Sequence, residues 1–294
     1  MSMGTTSPLP RFNIKNKGVV KGIRKSALFF ILLLMMFPGQ QLMISPSVQA
    51  EQTNKTFRVW VLTDTHAGGS SYGINNTEVL KDALRDSEND WGFDWDIALI
   101  LGDLTENSTE TEYKDFINTF KVLTRHRRED FFIIPGNHDT DAAIDIYKQY
   151  IDPLGRNGYY SGMDNAYRAF YLENVSDDLN GYTIRVGNTL FVLMSPTWSN
   201  NNYYKYSWWD SIVSNTPSDM NILCFSHHYL FDSGIFSLAY RPIRNSGLFS
   251  SWLQDHPGRI DAWLSGHIHW DYNLPDTTYV SSNWGTTFID AASL

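Results

Sequence analysis

The sequence predicts an α/β protein built on a parallel sheet, and three observations carry that expectation. Apolar runs and amphipathic stretches alternate from Phe57 to Ile134, the order that parallel strands with crossover helices produce. The run Ile97–Leu101 breaks abruptly at Gly102, as a buried strand of such a sheet does. Five such runs end in His, Asp or Asn, at the carboxyl ends of strands where open α/β sheets place their ligands.

Taken in order, Phe57–Leu62 is the first strand, followed by Asp64-Thr65-His66 and a flexible loop at Gly68-Gly69-Ser70. Val79, Leu80, Ala83 and Leu84 recur at helical spacing within Thr77–Ser87, which predicts a helix packed on the sheet. The strand Ile97–Leu101 delivers Asp103. Within Glu110–Arg125, Tyr113, Phe116, Ile117, Phe120 and Leu123 share one helical face. Phe131–Ile134 is the third strand and stops at Pro135-Gly136. A short helix over Asp141–Tyr150 precedes a loop-rich, aromatic excursion at 152–181. Tyr182–Val186 and Thr189–Met194 flank Gly187-Asn188, the composition of a hairpin turn. Trp208–Ser214 and Phe249–Asp255 read as helices, Asn221–Ser226 and Ile260–Ser265 as strands, and Thr278–Leu294 as strand-like pieces. With no internal repeat or low-complexity linker, residues 51–294 are expected to form one domain.

At 294 residues and 42% hydrophobic content the chain has enough apolar surface for a large core. A net charge of −9 argues against a nucleic-acid partner. Arg125, Arg127 and Arg128, around His126, are the clustered bases after residue 50; they are expected at a helix C-terminus, where cations complement the dipole. The N-terminus differs in kind. Basic residues from Arg11 to Lys25 precede the apolar run Ala27–Phe37, and Val48 and Ala50 precede Glu51. That run falls short of the ~20 residues of a membrane span, so residues 1–50 read as a cleavable signal peptide. The mature chain is then expected to be secreted, with no stable membrane span; an uncleaved signal anchor is the alternative. Cys224 is the single cysteine and reads as a core thiol, so no intrachain disulfide forms. Asn54, Asn75, Asn107 and Asn174 each begin a glycosylation sequon.

The five strand ends carry Asp64 and His66, Asp103, Asn137 and His138, His227 and His228, and His267 and His269. Of eight histidines, His126 and His256 alone lie outside them, and His256 reads as a surface-loop residue. Hard oxygen and imidazole donors gathered at one sheet edge point to a metal centre. Two divalent ions about 3.5–4 Å apart need a bridging carboxylate with imidazole or carbonyl ligands around it. Asp-x-His and Gly-His-x-His each place two donors two residues apart, with Gly266 expected to let the backbone turn tightly.

In this order, DTH, GD, GNHD, a later His and GHIH resemble the calcineurin-like metallophosphoesterase superfamily, from about Val59 to His269. The resemblance implies a four-layer α/β/β/α sandwich with two mixed sheets. It also implies two divalent ions (Mn, Fe, Zn or Co) and hydrolysis of a phosphoester substrate by metal-activated hydroxide. By position, Asp64, His66 and His269 hold one ion, Asp103 bridges, and Asn137, His227 and His267 hold the other. His138 is implied as the group that contacts the phosphoryl oxygen or protonates the leaving alkoxide. Glu106 stands where protein phosphatases of the superfamily pair a carboxylate with that histidine, and Asp139 is the other candidate partner.

Several residues depart from the subfamilies. Asn107 stands where protein phosphatases have arginine. Glu106 stands where purple acid phosphatases have a tyrosine ligand, and those enzymes lack a counterpart of His66, so a ferric–tyrosinate centre is not expected. His227-His228-Tyr229 replaces a common His-His-Pro, leaving both histidines as candidate ligands, with His227 favoured. Trp208 and Trp209 read as core, and Tyr159, Tyr160 and Trp198 as either a substrate mouth or a loop over the core. A nuclease of the same superfamily should show a broad basic cleft, and a non-catalytic binding protein should have lost ligands; neither feature is present in the sequence. The loops at 68–76, 152–181, 199–206 and 229–247 are expected to set specificity, without naming the substrate.

Overall fold

The computed structural model describes residues 57–71, 73–89, 94–140, 144–151, 170–174, 181–198, 202–231, 241–269 and 278–291. The expected signal peptide and its cleavage point, the Asn54 sequon, Tyr159 and Tyr160 lie outside the described residues. No helix of the described residues is long and apolar enough to cross a membrane.

The chain order is β1 (Val59–Leu62), β2 (Ser70–Ser71), β3 (Ile74–Asn75), α1 (Asn76–Ser87), β4 (Ile97–Leu101), α2 (Glu110–Thr119), β5 (Phe131–Ile134), the single turn α3 (Asn137–Thr140), α4 (Ile144–Tyr150), β6 (Phe170–Glu173), β7 (Gly181–Val186), β8 (Thr189–Met194), α5 (Tyr206–Asn215), β9 (Asn221–Ser226), α6 (Ser246–Asp255), β10 (Ala262–Ser265), β11 (Thr278–Val280) and β12 (Thr287–Asp290). One sheet has the order β1-β4-β5, with both pairs parallel. The larger sheet runs β11-β12-β10-β9-β8-β7-β6 and is mixed: β12, β10, β9 and β8 are parallel, and β11, β7 and β6 pair antiparallel.

Alternation along β4 builds the layers. Ile97, Leu99 and Leu101 pack against Tyr182, Ile184, Phe191 and Leu193 of the larger sheet, while Ala98 and Ile100 pack under Leu80 and Leu84 of α1 and Phe116 of α2. A period of two sends successive side chains to opposite faces, so this strand, buried throughout, reads as one continuous apolar run. On the outer face of the larger sheet, Trp209 of α5 sits with its ring 5.0 Å from Trp252 and Phe249 of α6 and 5.9 Å from Trp263 of β10. The layers are therefore helices, sheet, sheet, helices. Trp208, expected in the core, is half-buried against this cluster, and Cys224 is fully buried within it.

Some sequence expectations need correction. The flexible loop expected at Gly68-Gly69-Ser70 is tied down: β2 pairs with β3, Gly68 N–H donates to Thr77 Oγ1 (2.9 Å), and Asn75 caps α1 by accepting from Thr77 N–H. The excursion at 152–181 contains β6, a four-residue edge strand on β7 whose ladder, rather than its composition, makes it a strand. Helix α2, capped by Thr109 and Glu112, ends at Thr119 and continues only as a 3₁₀ turn to Val122. The bases at 125–128 therefore do not sit on a helix C-terminus. Buried Glu88 gathers that segment instead, accepting from the backbone N–H of Thr124, Arg125 and His126 and facing His126 Nδ1 at 2.6 Å. His256, by contrast, is exposed as expected, its ring stacked on Trp252 with centroids 4.2 Å apart.

Candidate metal centre

Asp64 and His66 follow β1, Asp103 follows β4, Asn137 and His138 follow β5, His227 follows β9, and His267 and His269 follow β10. These are the carboxyl ends of the parallel strands of both sheets. Main-chain bonds align the ends: Asp64 N–H to Gly102 O (3.0 Å), His66 N–H to Asp103 O (2.9 Å), and Gly266 N–H to His227 O (2.9 Å). Asp64, His66, Asp103, His267 and His269 all have positive φ, between 41° and 75°. Non-glycine residues adopt that region at a cost and cluster there at functional sites. Gly266 is needed for room rather than for torsion: its φ is not positive, and a Cβ would collide with Thr63 Oγ1 and Asp64 Oδ2. The chain bends at His267 and Ile268 as expected, with His267 rather than the glycine taking the positive φ.

The side chains converge into two groups that share Asp103. One ligand atom each from Asp64, His66, Asp103 and His269 lie within 4.8 Å of one another. In the second group, His227 Nε2 lies 2.9 Å from Asn137 Oδ1, 3.2 Å from His267 Nδ1 and 3.2 Å from Asp103 Oδ2. Asp103 Oδ2 also lies 3.7 Å from His66 Nε2, so one oxygen faces both groups. Its Oδ1 accepts the backbone N–H of His138 (2.9 Å), which fixes the carboxylate.

Hydrogen bonding tests whether this set suits a cation. His227 Nδ1 lies 2.8 Å from the Leu101 carbonyl, so Nδ1 carries a proton and Nε2 is the nitrogen turned to the site. Stripped of its own proton, Nε2 would set a lone pair against the Asn137 and Asp103 oxygens, so a proton or a metal cation must lie between them. Buried Asp64 Oδ1 has His269 Nε2 facing it at 3.1 Å, outside hydrogen-bond geometry among the described residues, while Oδ2 is held by Thr63 Oγ1 and His267 N–H. Converging lone pairs repel unless positive charge lies among them. Electrostatics agree. Burial opposes a charge on His227, yet Asp103 and Asp64 lift its imidazolium to about 9. Burial likewise opposes ionised Asp64 and Asp103, yet neighbouring histidines, His227 foremost, hold both carboxyls below the ordinary value. The donor set fits a metal.

His138 is half-buried, its ring edge-on to His66 at 4.7 Å. Burial lowers its pKa, but the charge of Asp103 and the Glu106 carbonyl raise it above the ordinary value on balance. Among the described residues no carboxylate hydrogen-bonds the His138 ring, although a Glu106 carboxylate oxygen lies within 4.8 Å of a His138 ring nitrogen. His138 Nδ1 lies 2.6 Å from the backbone oxygen of Glu106, and the Glu106 carboxylate lies 2.9 Å from Nδ1 of His66. Asp139 faces away and is fully buried, accepting from Leu104 N–H, Gly136 N–H and Tyr113 Oη. It braces the loops after β4 and β5.

Some residues around the site carried no sequence signal. Tyr204 stands 3.0 Å from His228 Nδ1 in a stretch without a motif. Asp290, ending β12, is buried with neither oxygen hydrogen-bonded among the described residues, and burial pushes its carboxyl up to about 8. Trp198 packs edge-on against Tyr147 and belongs to the core under the helices.

A sequence profile of calcineurin-like phosphoesterases matches residues 57–271, a span that contains every one of the converging side chains. The chain belongs to the calcineurin-like phosphoesterase family. A probable glycerophosphodiester phosphodiesterase GpdQ from Arcobacter nitrofigilis is 24% identical over 177 residues, 59% of this chain and 56% of that protein. The chain thus matches little more than half the length of that relative. Among solved structures, a hypothetical protein from Thermus thermophilus superimposes with a TM-score of 0.43 at 14% identity, over 81% of this chain and 77% of the other. A Staphylococcus aureus protein provisionally named a 5′-nucleotidase gives 0.47 at 11% identity, over 81% of this chain and 48% of the other.

Proposed function

We propose that this calcineurin-like phosphoesterase is an exported, metal-dependent hydrolase of phosphate mono- or diesters with a dinuclear centre. Asp64, His66 and His269 would hold one ion, Asn137, His227 and His267 the other, with Asp103 shared. The observation that carries this is the convergence of imidazole nitrogens and carboxylate and amide oxygens on both sides of Asp103 Oδ2, at the ends of strands from two sheets. When bound, two such ions supply an acidified water and neutralise the phosphoryl oxygens. The chain's own residues do the rest. His227 is oriented through Nδ1 by the Leu101 carbonyl, and the Glu106 carboxylate lies 2.9 Å from Nδ1 of His66, so each ring turns Nε2 to the centre. His138 donates Nδ1–H to the Glu106 carbonyl and keeps its transferable proton on Nε2, for the leaving alkoxide. The raised pKa of His138 favours the imidazolium that this role needs. The basic N-terminus, the short apolar run Ala27–Phe37 and Val48/Ala50 support export, and the resemblance to a phosphodiesterase supports diesters among the substrates.

The test is phosphate or alcohol release from a panel of mono- and diesters by protein reconstituted with manganese or zinc, beside Asp103→Asn. Wild type is expected to turn over, and the variant to lose metal and activity together because the shared carboxylate is gone. Two ions per chain in the variant with wild-type turnover would refute the shared role of Asp103, and a wild type that binds metal but hydrolyses no ester would refute the function.

A further inference from the structure

His227 and His228 are adjacent, and one ring nitrogen each from His227, His228 and His267 lie within 4.8 Å of one another. The His228 ring centroid is 4.3 Å from that of His267 and 4.8 Å from that of His227. By proximity alone, either of the tandem histidines can turn a nitrogen to the same ion. Something must choose between them.

The hydrogen bonds around Tyr204 have a fixed sense. The backbone N–H of His228 donates to Tyr204 Oη at 3.0 Å. The tyrosine hydroxyl has one proton to donate, and among the described residues the acceptor it reaches is His228 Nδ1, at 3.0 Å. The O–H therefore donates to Nδ1, which must present a lone pair. In neutral imidazole the proton then sits on Nε2. Nδ1 is occupied by the hydroxyl and Nε2 by its proton, so neither nitrogen offers a lone pair to a cation. Tyr204 itself is fully buried and clamped: its N–H donates to Asn245 Oδ1 (3.1 Å), and its carbonyl accepts from Asn245 Nδ2 (2.9 Å). His228 is held from the other side by its carbonyl, which accepts Ser226 Oγ–H at 2.7 Å.

We infer that Asn245 and Tyr204 are positioning residues that lock His228 as a non-ligating Nε2–H tautomer, and so select His227 as the metal ligand of the tandem pair. This rests on the metal-dependent reading above. His227 and His228 carry opposite tautomers: a backbone carbonyl takes the Nδ1 proton of one, and a phenol donates to Nδ1 of the other. Removing the phenol frees Nδ1 of His228 and lets both rings compete for the ion.

Two measurements test this. Long-range ¹H–¹⁵N spectra of the metal-free protein, with His228 assigned by the signal missing in His228→Gln, should show His228 protonated at Nε2 alone. In Tyr204→Phe the same signals should move toward a mixture of tautomers. Zinc titration with elemental analysis should find wild-type stoichiometry in His228→Gln and one ion fewer in His227→Gln. An Nδ1–H tautomer in wild type, an unchanged tautomer in Tyr204→Phe, or a lost ion in His228→Gln would each overturn the inference. The wild-type spectrum decides even where a variant fails to fold. Wild type that binds no zinc at all would refute the metal-dependent reading instead, without touching the tautomer assignment.

Discussion

Glu106 shows how a single side chain can change allegiance without any signal in the sequence. Its position after Asp103 predicts a partner for His138, but its carboxylate meets His66 Nδ1 while only its carbonyl meets His138. The two variants should therefore fail differently. Glu106→Gln is expected to weaken metal retention about 10–100-fold, since it loosens an imidazole that faces the centre, while leaving the preference between ester leaving groups intact. His138→Ala is expected to keep its metal and lose turnover by about 10²–10⁴-fold, with a smaller loss on a nitrophenyl ester, whose leaving group needs no proton. Metal analysis and paired rates on nitrophenyl and alkyl esters check both. A Glu106→Gln protein with full metal retention and the leaving-group behaviour of His138→Ala would restore the sequence-based pairing.

At the scale of elements, the ligand-bearing strands were legible because each is a short apolar run with a glycine, proline or ligand close after it, as Ile97–Leu101 before Gly102 shows. By contrast, β2, β3 and β6 carry no such signal. Helix α1 was legible from Leu80 and Leu84, which are fully buried. The end of α2 was not. Its apolar face continues through Leu123, but what stops the helix is tertiary: Glu88, from the end of α1, captures the backbone N–H groups that follow. Burial opposes the charge of that carboxylate, but these donors and the His126 ring lower its pKa from 4.5 to about 2. A lowered folded-state pKa stabilises the fold above the unfolded value and loses that contribution as pH falls through the folded one. The Glu88 contribution should thus be complete above about pH 5 and fade toward pH 2. Glu88→Gln is expected to cost about 1.5–3 kcal/mol at pH 7, the range for hydrogen bonds to a charged group, and progressively less below pH 4.5. Urea unfolding of both proteins between pH 7 and 3 measures it; a cost independent of pH would mean the carboxylate is not ionised when it makes these bonds.

For the whole molecule, the order of the ligand motifs was readable, but their division between two sheets was not. Asp64, His66, Asp103 and Asn137 come from the β1-β4-β5 sheet, and His227, His267 and His269 from the larger one. No local pattern records that, because it depends on Phe225 and Leu193 packing against Leu99 and Phe132 in the layer between the sheets. One consequence is thermodynamic. A cation held by donors from both sheets binds only when the layers are docked, so its binding energy adds to the stability of the folded chain. At a free metal concentration about 100 times Kd, one site contributes about 2.7 kcal/mol. In a chain of this size each kcal/mol moves Tm by about 2–4 °C. Chelation of the reconstituted protein is therefore expected to lower Tm by about 5–10 °C, more if both positions fill, with recovery when zinc or manganese is restored. Asp103→Asn, lacking the shared carboxylate, should show little response to the chelator. Scanning calorimetry with and without chelator, beside elemental analysis, decides the matter. An unchanged Tm after measured loss of metal would show that the ions do not join the two sheets.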